Sequence, residues 1–181
     1  RERDGDLDHL DDWIRMVATN RLTGHSSGFF SVYTLPPNQA VSPMRQIRIN
    51  QKRNQVPPYR DTRALIMRKT LSLLKGVSEI QQVRLRNAGE NALFLSGDSR
   101  RTPGIGDNTV QLTVTSPPFL DVVQYSSDNW LRCWFNGIDP GTVEKSLTVT
   151  RSLPEWGKVM QQTLYELFRV TRSGGHIAFE V

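Results

Sequence analysis

The residues best suited to chemistry lie where a run of β-forming residues, Val110 to Thr115, stops at two prolines. The run is typical of a buried strand, and because proline fixes φ and lacks an N–H, Pro117 and Pro118 cannot continue a sheet. Their carbonyls remain free to accept hydrogen bonds. The hydroxyl of Ser116 and the ring of Phe119 flank them at a strand terminus, where open α/β sheets place ligands. The pattern predicts a site that holds a planar group carrying an amine.

The Ser-Pro-Pro-Phe sequence resembles the catalytic motif of the amino-methylating DNA methyltransferases, a polar residue followed by Pro-Pro and an aromatic residue. Ala92 to Phe119 is similar to that family's order of strand, Gly-Asp, loop, Asp-Asn-x-Val, strand and motif. Phe168 to Val181 resembles its helix end, Gly-Gly turn and next strand. The resemblance covers about the last half of the chain. It implies methyl transfer from S-adenosylmethionine to the exocyclic amine of a flipped base in double-stranded DNA.

The resemblance assigns the catalytic role to Ser116, Pro117, Pro118 and Phe119. An exocyclic amine is a weak nucleophile because its lone pair is delocalised into the ring. Hydrogen bonds from the amine to the Ser116 oxygen and the Pro117 carbonyl would localise that pair, so the reaction needs positioning more than a strong base. Phe119 would stack on the base, whose removal from the duplex costs roughly a few kcal/mol. Neither a covalent cysteine nor a metal is expected.

The first residue of the motif bears on the substrate. Serine resembles the cytosine-N4 branch of the family, whereas aspartate is usual in the adenine-N6 branch, so we expect cytosine N4. An adenine-N6 enzyme, acting on DNA or RNA, is the alternative. Enzymes that methylate protein glutamine typically carry asparagine here, and Ser116 speaks against that substrate.

The resemblance also implies the cofactor contacts. Leu93–Leu95 reads as a strand closed by Gly97 and Asp98, and the family's acid at this point lies beside the adenosine of S-adenosylmethionine. Asp98, Gly97 and Thr115 are therefore the expected cofactor-binding residues. The alternative for Asp98 is an Asx turn that caps residues 99–101.

The elements that must position these residues predict an α/β fold. Helices are expected at Asp8–Thr19, from Ser42 to about Lys52, from Thr62 to Gly76, over Asp128–Phe135, and from a capping box at Ser152–Glu155 to a stop at Gly174-Gly175, with a strand from Ile177. The pattern indicates a parallel sheet with flanking helices. By resemblance this is part of a Rossmann-like class I methyltransferase sheet, with residues 77–181 as an incomplete catalytic half and residues 1–76 as a mostly helical basic region.

The basic region is a candidate DNA-recognition insert. Between residues 45 and 75 the chain has nine lysines and arginines against one acid, Asp61, and its net charge is +5 with a pI near 9.7. The expected phosphate contacts are Arg45, Arg48, Lys52, Arg53 and Arg60. A solvated helix face is the alternative.

Other sequence features set the context. No segment has the length and apolarity of a membrane span, no secretory pattern opens the chain, and its one cysteine, Cys133, suits a reducing interior, so we expect a cytoplasmic protein that does not bind membranes. A cognate restriction endonuclease is a candidate partner. The family's glycine-rich cofactor loop is absent from these residues; we expect it outside them and the chain alone to be inactive. A non-catalytic nucleic-acid-binding module with a degenerate methyltransferase fold is the remaining alternative.

Overall fold

The computed structural model describes residues 7–31, 41–117 and 125–180, and in that part the chain is mixed α/β. The elements are α1 (His9–Thr19), α2 (Pro43–Lys52), α3 (Thr62–Leu74), α4 (Glu79–Glu90), β1 (Val110–Thr115), α5 (Tyr125–Asp128), α6 (Trp130–Phe135), α7 (Pro140–Ser146), α8 (Leu153–Val170) and β2 (Thr171–Phe179). They group into two compact units. The first combines Arg1–Leu85 with Tyr125–Val143, and the second combines Arg86–Gln124 with Glu144–Val181.

The helices of the first unit begin where local capping signals predict. The Asp8 carboxylate accepts from the backbone N–H groups of Leu10 and Asp11 at 2.9 and 3.0 Å, and the Asp11 side chain accepts from Asp8 N at 3.2 Å, which forms a capping box at the start of α1. Pro43 occupies the first position of α2. Asp61 caps α3 by accepting from Ala64 N at 2.9 Å. These three helix predictions are confirmed.

The core of the first unit is small. Val17 and Ala18 of α1 and Leu65 of α3 are buried, and the indole of Trp13 donates to Thr70 Oγ1 at 3.1 Å between the same two helices. Cys133 of α6 is buried as expected. A six-residue helix presents one short face to a core, and Cys133 occupies it.

The helical spacing of residues 128–135 predicts that Trp130, Trp134 and Phe135 lie in the core. Trp130 is half-buried, but the prediction is wrong for the other two. The Trp134 side chain is 70% exposed and Phe135 is also exposed. Gly137, at φ +67°, terminates the segment as the sequence predicts, because this left-handed conformation favours glycine.

The second unit is built on a two-stranded parallel sheet in which β1 pairs with β2. The ladder runs from Leu112↔His176 to Thr115↔Phe179, and its register shifts before Leu112, where Val110 is still opposite Thr171. The parallel pairing predicted from the order of strands and helices is confirmed. The described sheet is too small to define the larger Rossmann-like sheet.

The glycine pair has a different role from the one predicted. Helix α8 ends at Val170 and β2 follows at once, so Gly174 and Gly175 lie inside the strand and do not terminate the helix. They form the register shift, with Gly174 at φ +72°. A Cβ on Gly175 would lie 2.7 Å from Thr171 Cγ2 and 3.0 Å from the Val110 carbonyl oxygen. The local sequence signals a glycine-dependent bend, but only strand pairing shows where that bend is used.

Helix α8 begins as predicted, with a different arrangement of its cap. Ser152 Oγ accepts from Glu155 N at 3.4 Å, but the Glu155 carboxylate accepts from Thr150 Oγ1 at 2.6 Å instead of from Ser152. The helical spacing of Met160 and Phe168 predicts one apolar face, of which Met160 is buried whereas Phe168 is 80% exposed.

Two strand predictions need correction. Leu93–Leu95 forms no strand, and Phe94 is 94% exposed, because this segment has no strand partner among the described residues. The predicted burial of β1 is also wrong: Leu112 and Val114 are exposed, since β2 is the one strand that pairs with β1 in the described part of the chain. Helix α4 was not predicted from the sequence.

Candidate functional site

The residues predicted to hold the amine follow the carboxyl end of β1. Thr115 is the last residue of this strand and lies opposite Phe179 near the end of β2. Glu180 N donates to the Thr115 carbonyl at 3.0 Å, so the two strands end at the same edge. Open parallel sheets bind ligands at this edge.

The motif leaves the sheet at once. Ser116 is outside any helix or strand and exposed, and Pro117 is half-buried beside it. The missing N–H of Pro117 explains why the ladder stops, and it leaves a serine hydroxyl beside a proline carbonyl, both able to accept hydrogen bonds. Pro118 and Phe119 lie outside the described residues. The structure therefore describes the polar half of the predicted site.

Asp98 forms the Asx turn that was the alternative to a cofactor contact. Its Oδ1 accepts from Arg100 N at 2.9 Å, and the Arg100 guanidinium bonds both carboxylate oxygens, with Nη2 at 2.5 Å from Oδ2. The hydrogen bonds from Arg100 lower the pKa of the Asp98 carboxyl below its usual value, so the group stays ionised.

This geometry gives limited support to the predicted cofactor contacts. A carboxylate has about four acceptor positions, and three N–H groups of Arg100 donate to Asp98, so a cofactor amine or hydroxyl would compete with Arg100 for a side chain that is half exposed. Gly97 has open space where a Cβ would be, which is not the close approach of a cradle. The Asp98 carboxylate keeps an acceptor position that suits a hydroxyl group of S-adenosylmethionine, with Arg100 as the competing donor. The role of Asp98, Gly97 and Thr115 stays a prediction.

A cluster that the sequence did not indicate fixes the loop before β1. Glu166 Oε1 accepts from Thr102 N at 2.6 Å, from Thr102 Oγ1 at 2.7 Å and from Arg169 Nη2 at 2.6 Å. Arg169 also donates to the Ile105 carbonyl at 3.0 Å and the Thr102 carbonyl at 3.1 Å, and it pairs with Asp107. The only local signal was the i, i+3 spacing of Glu166 and Arg169 on one helix face.

The charges in this cluster reinforce one another. Hydrogen bonds from Arg169 and Thr102 hold the pKa of the Glu166 carboxyl well below its usual range. Hydrogen bonds to Glu166 and Asp107 raise the pKa of the Arg169 guanidinium. The end of α8 is therefore tied to the loop that leads into β1, and it orients the strand that carries Ser116.

The predicted DNA contacts form an exposed basic face on α2. Arg45, Arg48 and Lys52 are spaced i, i+3, i+7 and all are exposed. The other side of the helix is half-buried, and there Gln46 Nε2 donates to Asn50 Oδ1 at 2.7 Å.

The basic residues are not neutralised locally. None of the nine lysines and arginines between residues 45 and 75 forms an ion pair with another described residue. Arg53 is exposed just after α2. Arg60 is partly committed elsewhere, since its Nη1 donates to the Ser27 carbonyl at 3.0 Å. Among the predicted contacts, Arg60 is therefore the one with a structural role in the described chain.

The structure brings the predicted residues together only in part. Thr115, Ser116 and Pro117 are contiguous at the strand end, and Gly97 and Asp98 belong to the same compact unit. Among the described residues no group of three His, Cys, Asp or Glu side chains could hold a metal ion, and no helix has the length and apolarity needed to cross a membrane. Comparison with models of protein families, with characterised proteins and with solved structures gave no match.

Proposed function

We propose that this protein is a DNA methyltransferase that transfers a methyl group from S-adenosylmethionine to the exocyclic amine of a flipped base, with cytosine N4 as the target. The observation that carries the proposal is the position of Ser116 and Pro117, directly after the carboxyl end of a strand in a parallel pair. The resemblance of the surrounding sequence to the family supports it. So does the missing backbone N–H of Pro117, which leaves a carbonyl acceptor there and no competing backbone donor.

The proposed role of the chain's own residues is to hold and polarise the amine. Ser116 Oγ accepts one amine hydrogen and the Pro117 carbonyl accepts the other. This would place the nitrogen lone pair out of the ring plane, where in-line attack on a sulfonium methyl would break the S–C bond and release a neutral thioether. The surplus proton on the amine nitrogen would pass to water past the exposed Ser116 hydroxyl. S-Adenosylmethionine supplies that methyl group as an electrophile. The exposed position of Ser116 leaves room for a base to reach it.

The cofactor and the larger fold belong to the same proposal. We place β1 and β2 within a Rossmann-like class I sheet, in which Asp98, Gly97 and Thr115 would lie near the cofactor, with the half-exposed Asp98 carboxylate shared between Arg100 and the cofactor. The exposed apolar residues Leu112 and Val114 support a larger sheet, because such side chains are normally covered in parallel sheets.

Double-stranded DNA is the proposed partner. The uncompensated basic face of α2 supports it, because lysines and arginines that lack local acids contribute binding energy by releasing counterions from phosphates. A cytoplasmic location and a cognate restriction endonuclease follow from the same proposal.

A second candidate is a non-catalytic nucleic-acid-binding module. The Asp98–Arg100 pair favours it, because a carboxylate that already accepts from three N–H groups of one arginine is a weaker cofactor contact than a free one. The basic face of α2 serves either function, so DNA binding alone does not separate them.

Substitution Ser116→Ala separates the two candidates. Tritiated methyl transfer from S-adenosylmethionine to DNA should fall by about 10²-fold or more, because one of two groups that polarise the amine is lost. DNA affinity, measured by fluorescence anisotropy, should stay unchanged. Ser173→Ala, at an exposed position of β2, is the matched control and should change neither.

The assay is run on the longest form that the gene encodes as well as on these 181 residues. Methylation by the wild type that Ser116→Ala leaves intact would overturn the assigned role. Absence of methylation in both forms, with DNA binding retained, would favour the non-catalytic module. Equal loss of methylation and DNA binding in Ser116→Ala would mean that the motif is structural.

A further inference from the structure

The first compact unit contains a cavity of about 180 Å³ that the catalytic proposal does not use. Its apolar walls come from Val41 and Pro43 at the start of α2 and from Trp130 and Leu131 of α6. Pockets for drug-sized ligands are typically about 300–1,000 Å³, so this cavity accommodates a single ring system.

One wall of the cavity holds a buried hydroxyl without a partner. Thr23 is nine-tenths buried, and its Oγ1 has no hydrogen-bond partner among the described residues. Thr23 is held in place by a bridge to Ser31. Buried hydroxyl groups are almost always hydrogen-bonded, so an unpaired one that lines a cavity indicates a polar ligand group at that point.

A second polar group on the wall is oriented by its neighbours. Gln46 Nε2 donates to Asn50 Oδ1 at 2.7 Å, and Asn50 Oδ1 also accepts from Gln55 Nε2 at 2.7 Å. The Gln46 amide is thus fixed with its oxygen left to accept. The Thr23 hydroxyl can donate or accept, and the Gln46 amide oxygen can accept, so the two suit the polar edge of a nucleobase. The indole and the proline ring in the cavity wall suit its flat faces.

Basic residues are sequence neighbours of the cavity lining. Arg45, on the exposed basic face of α2, precedes Gln46, and the exposed Arg132, whose Nη1 donates to Asn129 Oδ1 at 2.7 Å, follows Leu131 on α6. The side chain of Ser42 does not cap α2, so the N–H groups of its first turn remain available to an anion. These N–H groups, which follow Pro43 of the cavity wall, would be available to the phosphate of a base in the cavity.

We propose that this cavity binds an unpaired nucleobase of the DNA. The proposal rests on DNA binding by the basic face of α2 and deepens it: the first unit recognises a base that has left the duplex, in addition to the base at Ser116. Stacking on the Trp130 wall supplies affinity, and Thr23 and Gln46 bind the polar edge of the base.

The test compares two duplexes by fluorescence anisotropy, one fully paired and one identical except for a single unpaired nucleotide. Base stacking on an aromatic side chain predicts that the wild type binds the second duplex about tenfold more tightly or better. Thr23→Val should reduce the ratio of the two affinities about threefold or more, because it deletes one hydrogen bond and keeps the shape of the side chain. The affinity for the paired duplex should not change.

A matched pair of substitutions tests the cavity itself. Val41→Phe fills it and should abolish the preference for the unpaired nucleotide, whereas Val56→Phe, at a position that is 86% exposed, should retain it. Circular dichroism melts of each variant establish that it is folded. Equal effects of the two substitutions would overturn the proposal, because the base would then bind elsewhere.

Other outcomes distinguish this proposal from the proposed function. Equal wild-type affinity for the two duplexes overturns the cavity proposal and leaves DNA binding intact. If neither duplex binds, the proposal of DNA binding fails. Saturation-transfer NMR with the four free nucleosides then tests whether the cavity binds a base. Saturation transfer that Val41→Phe removes would support base binding in the cavity, and no transfer to any nucleoside would overturn it.

Discussion

The close packing around Gly175 predicts that replacing it with alanine lowers the free energy of unfolding. In Gly175→Ala the new methyl group would lie 2.7 Å from Thr171 Cγ2, 2.9 Å from the Arg172 carbonyl oxygen and 3.0 Å from the Val110 carbonyl oxygen. Two of these three atoms belong to the backbone and cannot rotate away. Inserting a methylene-sized group into a packed site typically costs about 1–3 kcal/mol, and we expect a loss of about 2 kcal/mol.

The same substitution elsewhere in the second unit should have the opposite sign. Gly157 lies in the interior of α8, and a Cβ there meets nothing within 4 Å. Gly157→Ala should therefore stabilise the protein by about 0.8–1 kcal/mol through helix propensity alone. The matched pair separates the local clash at Gly175 from any general effect of replacing glycine.

Urea denaturation followed by circular dichroism measures both changes, and thermal melts give a second reading at about 2–4 °C per kcal/mol for a chain of this size. A change within about 0.5 kcal/mol for Gly175→Ala would refute the reasoning, since it would show that β2 relaxes around the methyl group at little cost. Stabilisation by Gly157→Ala is needed to show that the second unit is folded under the conditions used.

Three further outcomes are expected. Thr23→Val should raise the free energy of unfolding by about 1 kcal/mol in urea titrations, because it removes a buried hydroxyl without a partner; a comparable loss would reveal a partner for that hydroxyl. Because the pKa of Glu166 is lowered in the folded state, its ionised form stabilises the protein fully above the usual glutamate pKa, about 4.3, and this stability is lost as pH falls toward the folded-state pKa. Glu166→Gln should therefore make the melting temperature depend less on pH in acid, and an unchanged pH profile would contradict the assignment. Replacing Arg45, Arg48 and Lys52 by glutamine should reduce the slope of log affinity for DNA against log salt by about 2 to 3, whereas Lys158→Gln on α8 should leave it unchanged.

The sequence correctly predicted helices and strand ends where the interaction that determines them lies within a few residues along the chain. Asp8, Asp61 and Ser152 cap helices within three residues of their own positions, so their patterns identify α1, α3 and α8. Pro117 ends β1 through its own covalent structure. The same reasoning located Ser116 at the strand end, and it therefore found the polar half of the candidate site.

The predictions from the sequence failed where residues far along the chain determine the local structure. Leu93–Leu95 has the composition of a strand, but a strand exists only where a partner pairs with it. Nothing around Thr102 indicates that its N–H and hydroxyl bind Glu166, which lies far along the chain. Gly174 carried a clear bend signal, yet whether it ends a helix or shifts a register depends on Val110.

The pairing of β1 with β2 has a consequence for synthesis on the ribosome. About 55 residues separate the end of β1 from the start of β2, so at roughly 5–20 residues per second β1 waits about 3–11 seconds for its partner. During that time both edges of β1 are unpaired and open to other nascent or unfolded chains, whereas Leu112 and Val114 remain exposed after β2 has paired. Slower translation would therefore lengthen the interval in which this strand can pair with the wrong partner.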